Sequence, residues 1–275
     1  MTSLAEKAER LRLLHRPGQP LLLVNVWDAA TARLIERAGF PAIATTSAGI
    51  AFSRGYPDGQ RIPRDEMLAE IARICRAVSV PVTADLEAGY GDSAEAVARA
   101  AARALDAGAA GLNLEDGTGR MEEPLFELGR QVEKIRAIRE AGRRRGVAIV
   151  VNARTDVYLD RVGPESGRLE ETIRRGAAFR DAGADCVFVP GVKEVGLIGE
   201  IVRRLACPVN VLAAPGGPSL GELAKLGVAR VSLGSGAMRA ALTLVERIGE
   251  ELRTEGTWSA LDGALSHSRV NELMG

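Results

Sequence analysis

Residues 80–114 read VPVTADLEAGYGDSAEAVARAAARALDAGAAGLNL and contain one complete strand–helix–strand unit. A short apolar run, Val80 to Ala84, ends in a glycine-containing loop. An alanine-rich segment with the composition of a helix follows, Ser93 to Ala107, and Gly108 suits its C-cap. The next apolar run, Ala110 to Leu114, then begins. Continuous apolar strands that alternate with helices predict a parallel sheet covered by helices.

The same unit recurs along the whole chain. Eight strands, each followed by a helix, are predicted to begin near residues 21, 42, 80, 110, 148, 185, 208 and 230. Eight units in about 250 residues are typical of an α/β fold of the (β/α)8 TIM-barrel type, which we predict. A doubly wound open sheet is the alternative. The glycine fingerprint that such a sheet carries after its first strand is missing, and Asn25-Val26-Trp27-Asp28 stands there instead.

The two ends of the chain extend this barrel. Residues from Ser3 to His15 have helical spacing before the first strand, which we expect over Leu21 to Val26. The segment after Leu252 also has helical character but lies beyond the eighth unit. We therefore expect one domain over residues 1–275, with an N-terminal helix and a C-terminal helical extension over about residues 253–275.

The composition indicates a globular protein without a polyanionic partner. Of the 275 residues, 46% are hydrophobic and 26% charged, and 36 Lys+Arg balance 36 Asp+Glu. This balance argues against binding to nucleic acid or to a membrane surface. No apolar run is long enough to span a bilayer, and the first residues lack an apolar signal segment. Cys75, Cys186 and Cys207 lie far apart, so we expect reduced, buried thiols and a cytoplasmic location.

Two acids follow the third predicted strand at a spacing of two residues, Asp85 and Glu87. Side chains alternate across a strand, so we expect both carboxylates on the same side. Two such carboxylates repel each other unless a cation or a shared proton lies between them. With hard oxygen ligands and no histidine nearby, the expected ion is Mg²⁺, with Mn²⁺ as the alternative. Two solvated loop residues are the other interpretation of this short pattern.

Other polar residues follow the remaining strands, whose carboxyl ends meet at one mouth in a barrel. They are Trp27 and Asp28 after the first strand, Thr45 to Gly49 after the second with Asp58 in a long loop from Ser47 to Arg61, Glu115 and Asp116 after the fourth, Asn152 and Arg154 after the fifth, and Asn210 in the seventh. The sixth strand ends in Val189-Pro190-Gly191, without side-chain chemistry. We interpret Asp28 as a helix N-cap. The remaining charges predict a counter-ion or a ligand at this mouth.

The histidines do not contribute to this predicted site. His15 and His267 lie near the two ends of the chain, so we expect both on the surface and neither as a catalytic base.

Several motifs together resemble the isocitrate lyase/phosphoenolpyruvate mutase superfamily. They are Asn25-Val26-Trp27-Asp28, Thr45-Thr46-Ser47, Asp85-x-Glu87-x-Gly89-Tyr90-Gly91, Leu114-Glu115-Asp116 and Asn152-Ala153-Arg154-Thr155-Asp156. The resemblance runs in order from about residue 20 to 240. It implies a barrel whose last helix is exchanged between subunits, usually in a homotetramer built as a dimer of swapped dimers. It also implies Mg²⁺ as cofactor and a small 2-oxo acid, or its enolate, as substrate or product.

The resemblance also implies roles for individual residues. Asp85 would ligate the metal directly, while Asp58, Glu87 and Glu115 would hold its water shell. Arg154 would bind the substrate carboxylate and stabilise the enolate, and Trp27 would pack over the substrate. Backbone N–H groups of Ser47, Ala48 and Gly49 would receive a carboxylate or oxyanion, beside Asn210. The expected catalytic residues are Asp58, Glu115 and Arg154.

The sequence departs from the family where its lyases carry a proton donor. Their loop after the fourth strand has a Lys-Lys-Cys-Gly-His pattern, but residues 117–124 read GTGRMEEP here, without Cys or His. The phosphonate mutases have a histidine after the sixth strand, where this chain has Pro190, and Glu87 replaces the family's usual aspartate.

We therefore expect a Mg²⁺-dependent carbon–carbon lyase, or a decarboxylase, that forms a pyruvate-like product through a metal-stabilised enolate. The alternatives are an enzyme acting on the P–C bond of phosphonopyruvate or carboxyphosphonoenolpyruvate, a weak isocitrate or methylisocitrate lyase, and a non-catalytic binder of 2-oxo acids.

Two loops allow further expectations. The loop from Gly117 to Pro124 combines glycine, charges and proline, so we expect it to close over the site as a lid. The glycines at Pro215-Gly216-Gly217 and Gly234-Ser235-Gly236 occupy positions where many barrels bind phosphate. We interpret them instead as small residues that permit tight strand-to-helix turns.

Overall fold

The computed structural model describes residues 2–275, which form nine strands and eleven α-helices. The strands are β1 (Leu21–Leu23), β2 (Asn25–Val26), β3 (Ile43–Thr45), β4 (Val82–Asp85), β5 (Gly111–Glu115), β6 (Val150–Arg154), β7 (Cys186–Val189), β8 (Val209–Leu212) and β9 (Arg230–Ser232). The helices are α1 (Leu4–Leu13), α2 (Ala29–Arg37), α3 (Ser47–Ser53), α4 (Arg64–Ala77), α5 (Ala94–Asp106), α6 (Leu128–Arg144), α7 (Glu165–Asp181), α8 (Val195–Leu205), α9 (Leu220–Lys225), α10 (Gly236–Thr254) and α11 (His267–Met274).

All strand pairs are parallel and follow the order β1-β9-β8-β7-β6-β5-β4-β3-β2. β1 pairs with β9 and β2 pairs with β3, so the ring closes through one segment that is interrupted at Val24. The expected continuous strand from Leu21 to Val26 is thus two short strands, because each half pairs with a different neighbour. The predicted TIM-type barrel is confirmed.

The helices cover the outer face of this barrel, and the core lies between the two layers. Strand side chains such as Leu112, Val151 and Val187 are fully buried, which explains why the strands read as continuous apolar runs. α1 packs near the amino ends of the strands. There Leu11 is buried, and the N–H of Gly18 donates to the carbonyl of Val228, just before β9.

Two expected loops contain regular structure. Residues Ser47–Ser53 form α3, which begins at Thr46, whose hydroxyl accepts a hydrogen bond from the N–H of Gly49. Asn152 and Arg154, which we expected after the fifth predicted strand, instead lie within β6. Both expectations were wrong because strands and helices were predicted from their apolar residues. Near the barrel mouth these elements contain polar residues, which interrupt the apolar pattern.

Burial corrects two further expectations. His15 is only 7% exposed, because its ring, two residues after the end of α1, lies against the buried Arg230, whereas His267 is exposed as expected. Cys186 is buried, but Cys75 and Cys207 are only partly buried, and all three thiols are free. None of the helices in residues 2–275 combines the length and the apolar composition needed to cross a membrane.

Candidate active site at the barrel mouth

Three charged residues end three neighbouring strands. Asp85, Glu115 and Arg154 are the last residues of β4, β5 and β6, and the register pairs Glu115 directly with Arg154. Parallel strands bring their carboxyl ends to one edge, so the sequence order alone places these side chains together. The structure thus brings these three predicted site residues to the same end of the barrel.

Arg154 lies at the centre of the cluster. Its Nη1 is 2.7 Å from Glu115 Oε2, and its Nε donates to Asp156 Oδ1 at 2.6 Å. The guanidinium also lies 5.9 Å from the ring centre of Phe188 on β7, so the sixth predicted strand does contribute a side chain to the site. Only 19% of the Arg154 side chain is exposed. Sequence reasoning missed Phe188 because an aromatic residue in a buried strand resembles any other core residue.

Asp85 is held by the first turn of α3. Its Oδ2 accepts hydrogen bonds from the N–H of Ser47 at 3.1 Å and from the Ser47 hydroxyl at 2.8 Å, while its own N–H donates to Thr45 Oγ1 at 2.9 Å. Of the N–H groups expected to receive an anion, that of Ser47 thus contacts Asp85 and that of Gly49 contacts Thr46.

Close packing explains the glycine in this turn. A Cβ at Gly49 would lie 2.5 Å from Thr46 Cγ2 and 3.2 Å from Trp27 Cβ. Trp27, which is half-buried, therefore lies directly beside α3 at the mouth. Ala48, in the same turn, is 7% exposed.

Glu87 approaches Asp85 by a route that differs from the expected one. β4 ends at Asp85, and Glu87 has the left-handed backbone conformation with φ 52°. Strand alternation therefore does not apply to this pair, although the two carboxylates still interact, since the charge of Asp85 raises the pKa of Glu87. Glu87 Oε2 instead accepts a hydrogen bond from the N–H of Gln60 at 2.6 Å, and the N–H of Tyr90 donates to Gln60 Oε1 at 2.6 Å. Gln60 thus joins the loop after α3 to the loop after β4. The sequence does not reveal this contact between distant segments.

The acids raise one another's pKa values. Burial, followed by the charges of Asp85 and Asp58, raises the pKa of Glu87 to about 8. Burial raises the pKa of Glu115 well above its ordinary value, although Arg154 opposes this rise. Partial burial and the charge of Asp85 also raise the pKa of Asp58. Arg154 alone therefore does not offset the cost of keeping all of these buried carboxylates ionised.

Three further residues of the sequence prediction lie in the loop after α3, in β8 and before α2. Asp58 belongs to the loop after α3, near Asp85 and Arg154. Asn210 is fully buried in β8, where its Nδ2 donates to Ser232 Oγ at 3.3 Å. Asp28 caps α2 by accepting a hydrogen bond from the N–H of Thr31 at 2.7 Å, as its interpretation as an N-cap predicts.

A second buried ion pair, between Asp116 and Arg175, supports Arg154 through Asp156. Asp116 is fully buried, and its Oδ1 accepts a hydrogen bond from the N–H of Asp156 at 2.9 Å. Its Oδ2 is 3.1 Å from Nη1 of Arg175, which also donates to the carbonyl of Phe126 at 2.9 Å. Asp116 is therefore a support of the Arg154–Asp156 pair rather than a group that points into the mouth.

The glycine turn after β9 has a structural partner. Asn25 Oδ1 accepts hydrogen bonds from the N–H groups of Leu233 and Gly234, both at 2.9 Å. These are backbone donors that a phosphate would need at this position. The contact supports the interpretation of the glycines as turn residues.

The donor set fits a divalent cation, although a complete ligand cage is not preformed. No three His, Cys, Asp or Glu side chains in residues 2–275 are arranged as a metal site. However, Glu87 Oε1 is buried and has no hydrogen-bond partner within the described chain. The carboxylates that interact with Arg154 are those of Asp58, Asp85, Glu87, Glu115 and Asp156. Carboxylate oxygens are the ligands that Mg²⁺ and Mn²⁺ prefer.

Fold and site together define a (β/α)8-barrel protein with an acidic, arginine-containing mouth. A family model described as phosphoenolpyruvate phosphomutase matches residues 11–253. The chain belongs to the isocitrate lyase/phosphoenolpyruvate mutase superfamily, as its motifs indicate.

Known proteins of several activities resemble the chain along most of its length. The 2-methylisocitrate lyase of Escherichia coli (strain K12) is 31% identical over 265 residues, which cover 89% of this chain and 87% of that protein. A structure of 2,3-dimethylmalate lyase has a TM-score of 0.86 and 30% identity, and the match covers 100% of this chain and 96% of that one. A structure of phosphonopyruvate hydrolase with oxalate and Mg²⁺ has a TM-score of 0.83 and 27% identity, with 97% and 94% covered.

Proposed function

We propose that the protein is a Mg²⁺-dependent lyase that acts on a small 2-oxo acid or its precursor and forms a pyruvate-like product. The observation that carries this proposal is the excess of carboxylates around the buried Arg154, with Glu87 Oε1 left without a partner. The relatives support the same chemistry, because two are lyases of small branched acids and a third was solved with oxalate and Mg²⁺.

The chain's own residues divide the work of this reaction. Asp85 would hold the cation directly, and Asp58, Glu87 and Glu115 would hold its water ligands. A bound Mg²⁺ would supply Lewis-acid stabilisation of negative charge that develops on the substrate's 2-oxo oxygen. Mn²⁺ has the same ligand preferences and would replace it.

Arg154 supplies the permanent positive charge. Its guanidinium would bind the substrate carboxylate and balance the enolate charge, because a planar fork of donors matches a carboxylate. Asp156 and Glu115 fix the direction of this fork. Trp27 and Phe188 would limit water around the reacting carbon, since both lie beside the charged cluster.

The residues available as proton donors favour a cleavage or decarboxylation that leaves an enolate. They do not favour a reaction that needs a cysteine as general acid. The lid residues Gly117–Pro124 contain no Cys or His. His15 lies near the amino ends of the strands, away from the mouth. The group that protonates the enolate product is therefore expected to be a water molecule.

The proposal is tested with purified protein, Mg²⁺ and three candidate substrates: oxaloacetate, phosphonopyruvate and 2-methylisocitrate. We expect pyruvate to form from one of them, the rate to fall to background with a chelator, and Mg²⁺ or Mn²⁺ to restore it. Asp85→Ala should lower kcat/KM by a factor of at least about 100, since a direct metal ligand is lost. Asp181→Ala, at an exposed acid that ends α7, is the matched control.

The outcomes separate the alternatives. Release of inorganic phosphate from phosphonopyruvate would identify the P–C bond activity. Calorimetric binding of oxalate with Mn²⁺, combined with no turnover, would identify a non-catalytic 2-oxo acid binder. Turnover that resists both the chelator and Asp85→Ala would contradict the proposed metal dependence.

A further inference from the structure

A fully buried lysine lies outside the mouth and is not explained by the proposed reaction. Lys134 of α6 is 0% exposed, and no carboxylate of residues 2–275 forms a salt bridge with it. Its Nζ is 3.4 Å from the carbonyl oxygen of Ala88 and 3.3 Å from the ring centre of Phe126. Burial, only partly offset by Asp92, lowers the pKa of Lys134 to about 8. Because an ammonium buried without an acid is costly, an apolar residue would serve packing alone better.

The carbonyl that Lys134 contacts belongs to a strained loop. Glu87 and Tyr90 have φ values of 52° and 55°, and Gly89 between them has a φ of 93°. A left-handed backbone costs a residue with a side chain on the order of 1–2 kcal/mol, so the loop needs contacts that hold it in place. Gly89 cannot be replaced easily either, because a Cβ there would lie 2.8 Å from Val97 Cγ2.

The loop is held from two sides. On the side of the mouth, Gln60 contacts both Glu87 and Tyr90. On the opposite side, Lys134 contacts Ala88, the residue directly after Glu87.

The same helix supports the neighbouring strand end. Gln131 lies one turn before Lys134 in α6 and is fully buried, and its Nε2 donates to the carbonyl of Glu115 at 2.9 Å. The N–H of Glu115 in turn donates to the carbonyl of Glu87 at 3.0 Å. The first turns of α6 thus hold the backbone of both loops that carry the expected metal carboxylates.

We propose that Lys134 is a positioning residue of the metal site: its ammonium, seated on the Phe126 ring, holds the Ala88 carbonyl and so keeps Glu87 turned toward the mouth. This inference rests on the proposed function, because it assigns the support of the same metal site. Lys134 itself does not reach the substrate.

Charge and position make opposite predictions for the loss of this lysine. If Lys134 acted only as a nearby positive charge, its removal would tighten the binding of a cation. If it positions Glu87, its removal weakens cation binding, as is typical for groups that orient metal ligands. The sign of the change therefore distinguishes the two roles.

The test measures Mn²⁺ binding to the full-length protein by calorimetry and by the electron paramagnetic resonance signal of free Mn²⁺. We expect Lys134→Met to bind Mn²⁺ about 10-fold to 100-fold more weakly than the wild type. Lys134→Arg keeps a charged donor and should recover at least part of this loss. Lys225→Met removes an exposed lysine from α9 and should bind Mn²⁺ like the wild type.

Circular dichroism and urea unfolding first establish that each variant is folded. Should Lys134→Met fail to fold, Lys134→Gln, which retains a neutral donor, takes its place with the same expected direction. Unchanged or tighter Mn²⁺ binding by the folded variant overturns the positioning role and leaves the proposed function intact. If the wild type itself binds no Mn²⁺, the proposed metal dependence is wrong and this inference falls with it.

Discussion

Arg154 shows how a single side chain organises the mouth. It contacts Glu115 and Asp156 within 2.7 Å while only 19% of its side chain is exposed. Burial by itself would lower the pKa of Arg154, but Glu115, Asp156 and Asp85 together raise it, so the residue stays charged. In the proposed reaction, a substrate carboxylate would compete with these acids for the guanidinium. We expect a bound cation to ease this competition by drawing the acids away, so that substrate binding would depend on metal binding.

A different balance holds for the buried pair of His15 and Arg230. The Nδ1 of His15 lies 2.9 Å from the carbonyl of Leu11, and its Nε2 faces Nη1 of Arg230 at 3.5 Å. The ring is therefore assigned as the neutral tautomer that carries its proton on Nδ1. Burial and then the charge of Arg230 lower the pKa of His15 to about 4.

This pair predicts a pH dependence of stability. The unfolded chain takes up a proton on His15 near pH 6.5, whereas the folded chain resists it until about pH 4. Stability from this residue is therefore fully present above pH 6.5 and is lost as the pH falls toward 4. The largest possible loss is about 3 kcal/mol. His15→Gln should flatten the free energy of unfolding, measured with urea, between these pH values.

His267→Gln serves as the control for this measurement, because His267 is exposed in α11. It should retain the pH slope of the wild type. An equal slope for wild type and His15→Gln would contradict the assignment of His15 as a buried neutral group.

Whole helices and strands were predictable where apolar residues carry a clear period. The eight repeated units, the capping role of Asp28 and the strand-end positions of Asp85, Glu115 and Arg154 all follow from the sequence, because backbone geometry fixes which ends of parallel strands meet. α3, the break at Val24 and the contact of Gln60 with Glu87 do not follow from it. Each of these depends on tertiary partners that are distant in sequence, and local propensity does not report such partners.

The loop from Gly117 to Pro124, which we expect to act as a lid, is the element that should respond to ligand. Its base is closed by a bridge between Gly117 and Leu125 and by the hydrogen bond from the N–H of Thr118 to the carbonyl of Pro124 at 2.9 Å. Its tip projects, since Met121 is 98% exposed. We expect amide hydrogen exchange of residues 119–123 to slow when Mn²⁺ and oxalate are added, because closure would shield these amides.

The segment from Arg143 to Gly146 is the internal control for the exchange experiment, since it is exposed and lies at the end of α6, where the strands of the barrel begin. Its exchange should not change on addition of Mn²⁺ and oxalate. Equal exchange of residues 119–123 in both states would show that they do not form a closing lid.

Across the whole molecule, the C-terminal quarter exposes an unusual amount of apolar surface. α10 has 19 residues but only Met238 is buried in it, and exposed apolar side chains extend from α10 into the following segment. They are Leu242, Leu244, Val245, Leu252, Trp258, Leu261 and Leu265. So many exposed apolar side chains in one segment indicate a contact with another protein surface. We propose that it is covered by a second copy of the chain, in agreement with the exchanged helix and tetramer that the sequence motifs imply.

The association is tested by sedimentation or by light scattering after size exclusion. We expect the wild type to be a tetramer, or a dimer at high dilution, and Val245→Glu combined with Leu252→Glu to shift it toward the monomer, because two buried charges would oppose the contact. Met121→Glu, which adds a charge to an exposed residue elsewhere, should leave the mass unchanged. A monomeric wild type at all concentrations would contradict the exchange of α10.

α10 packs against its own barrel with only one buried residue, Met238, and this has a further consequence for the stability of the protein. If α10 packs against a neighbouring copy of the chain, part of the free energy of folding comes from association, and stability then depends on protein concentration. The melting temperature should then rise with protein concentration. In strongly diluted samples, α10 should be the first element to lose its packing. When two distinguishable versions of the chain are mixed, mixed oligomers should form only as fast as α10 dissociates from the neighbouring subunit.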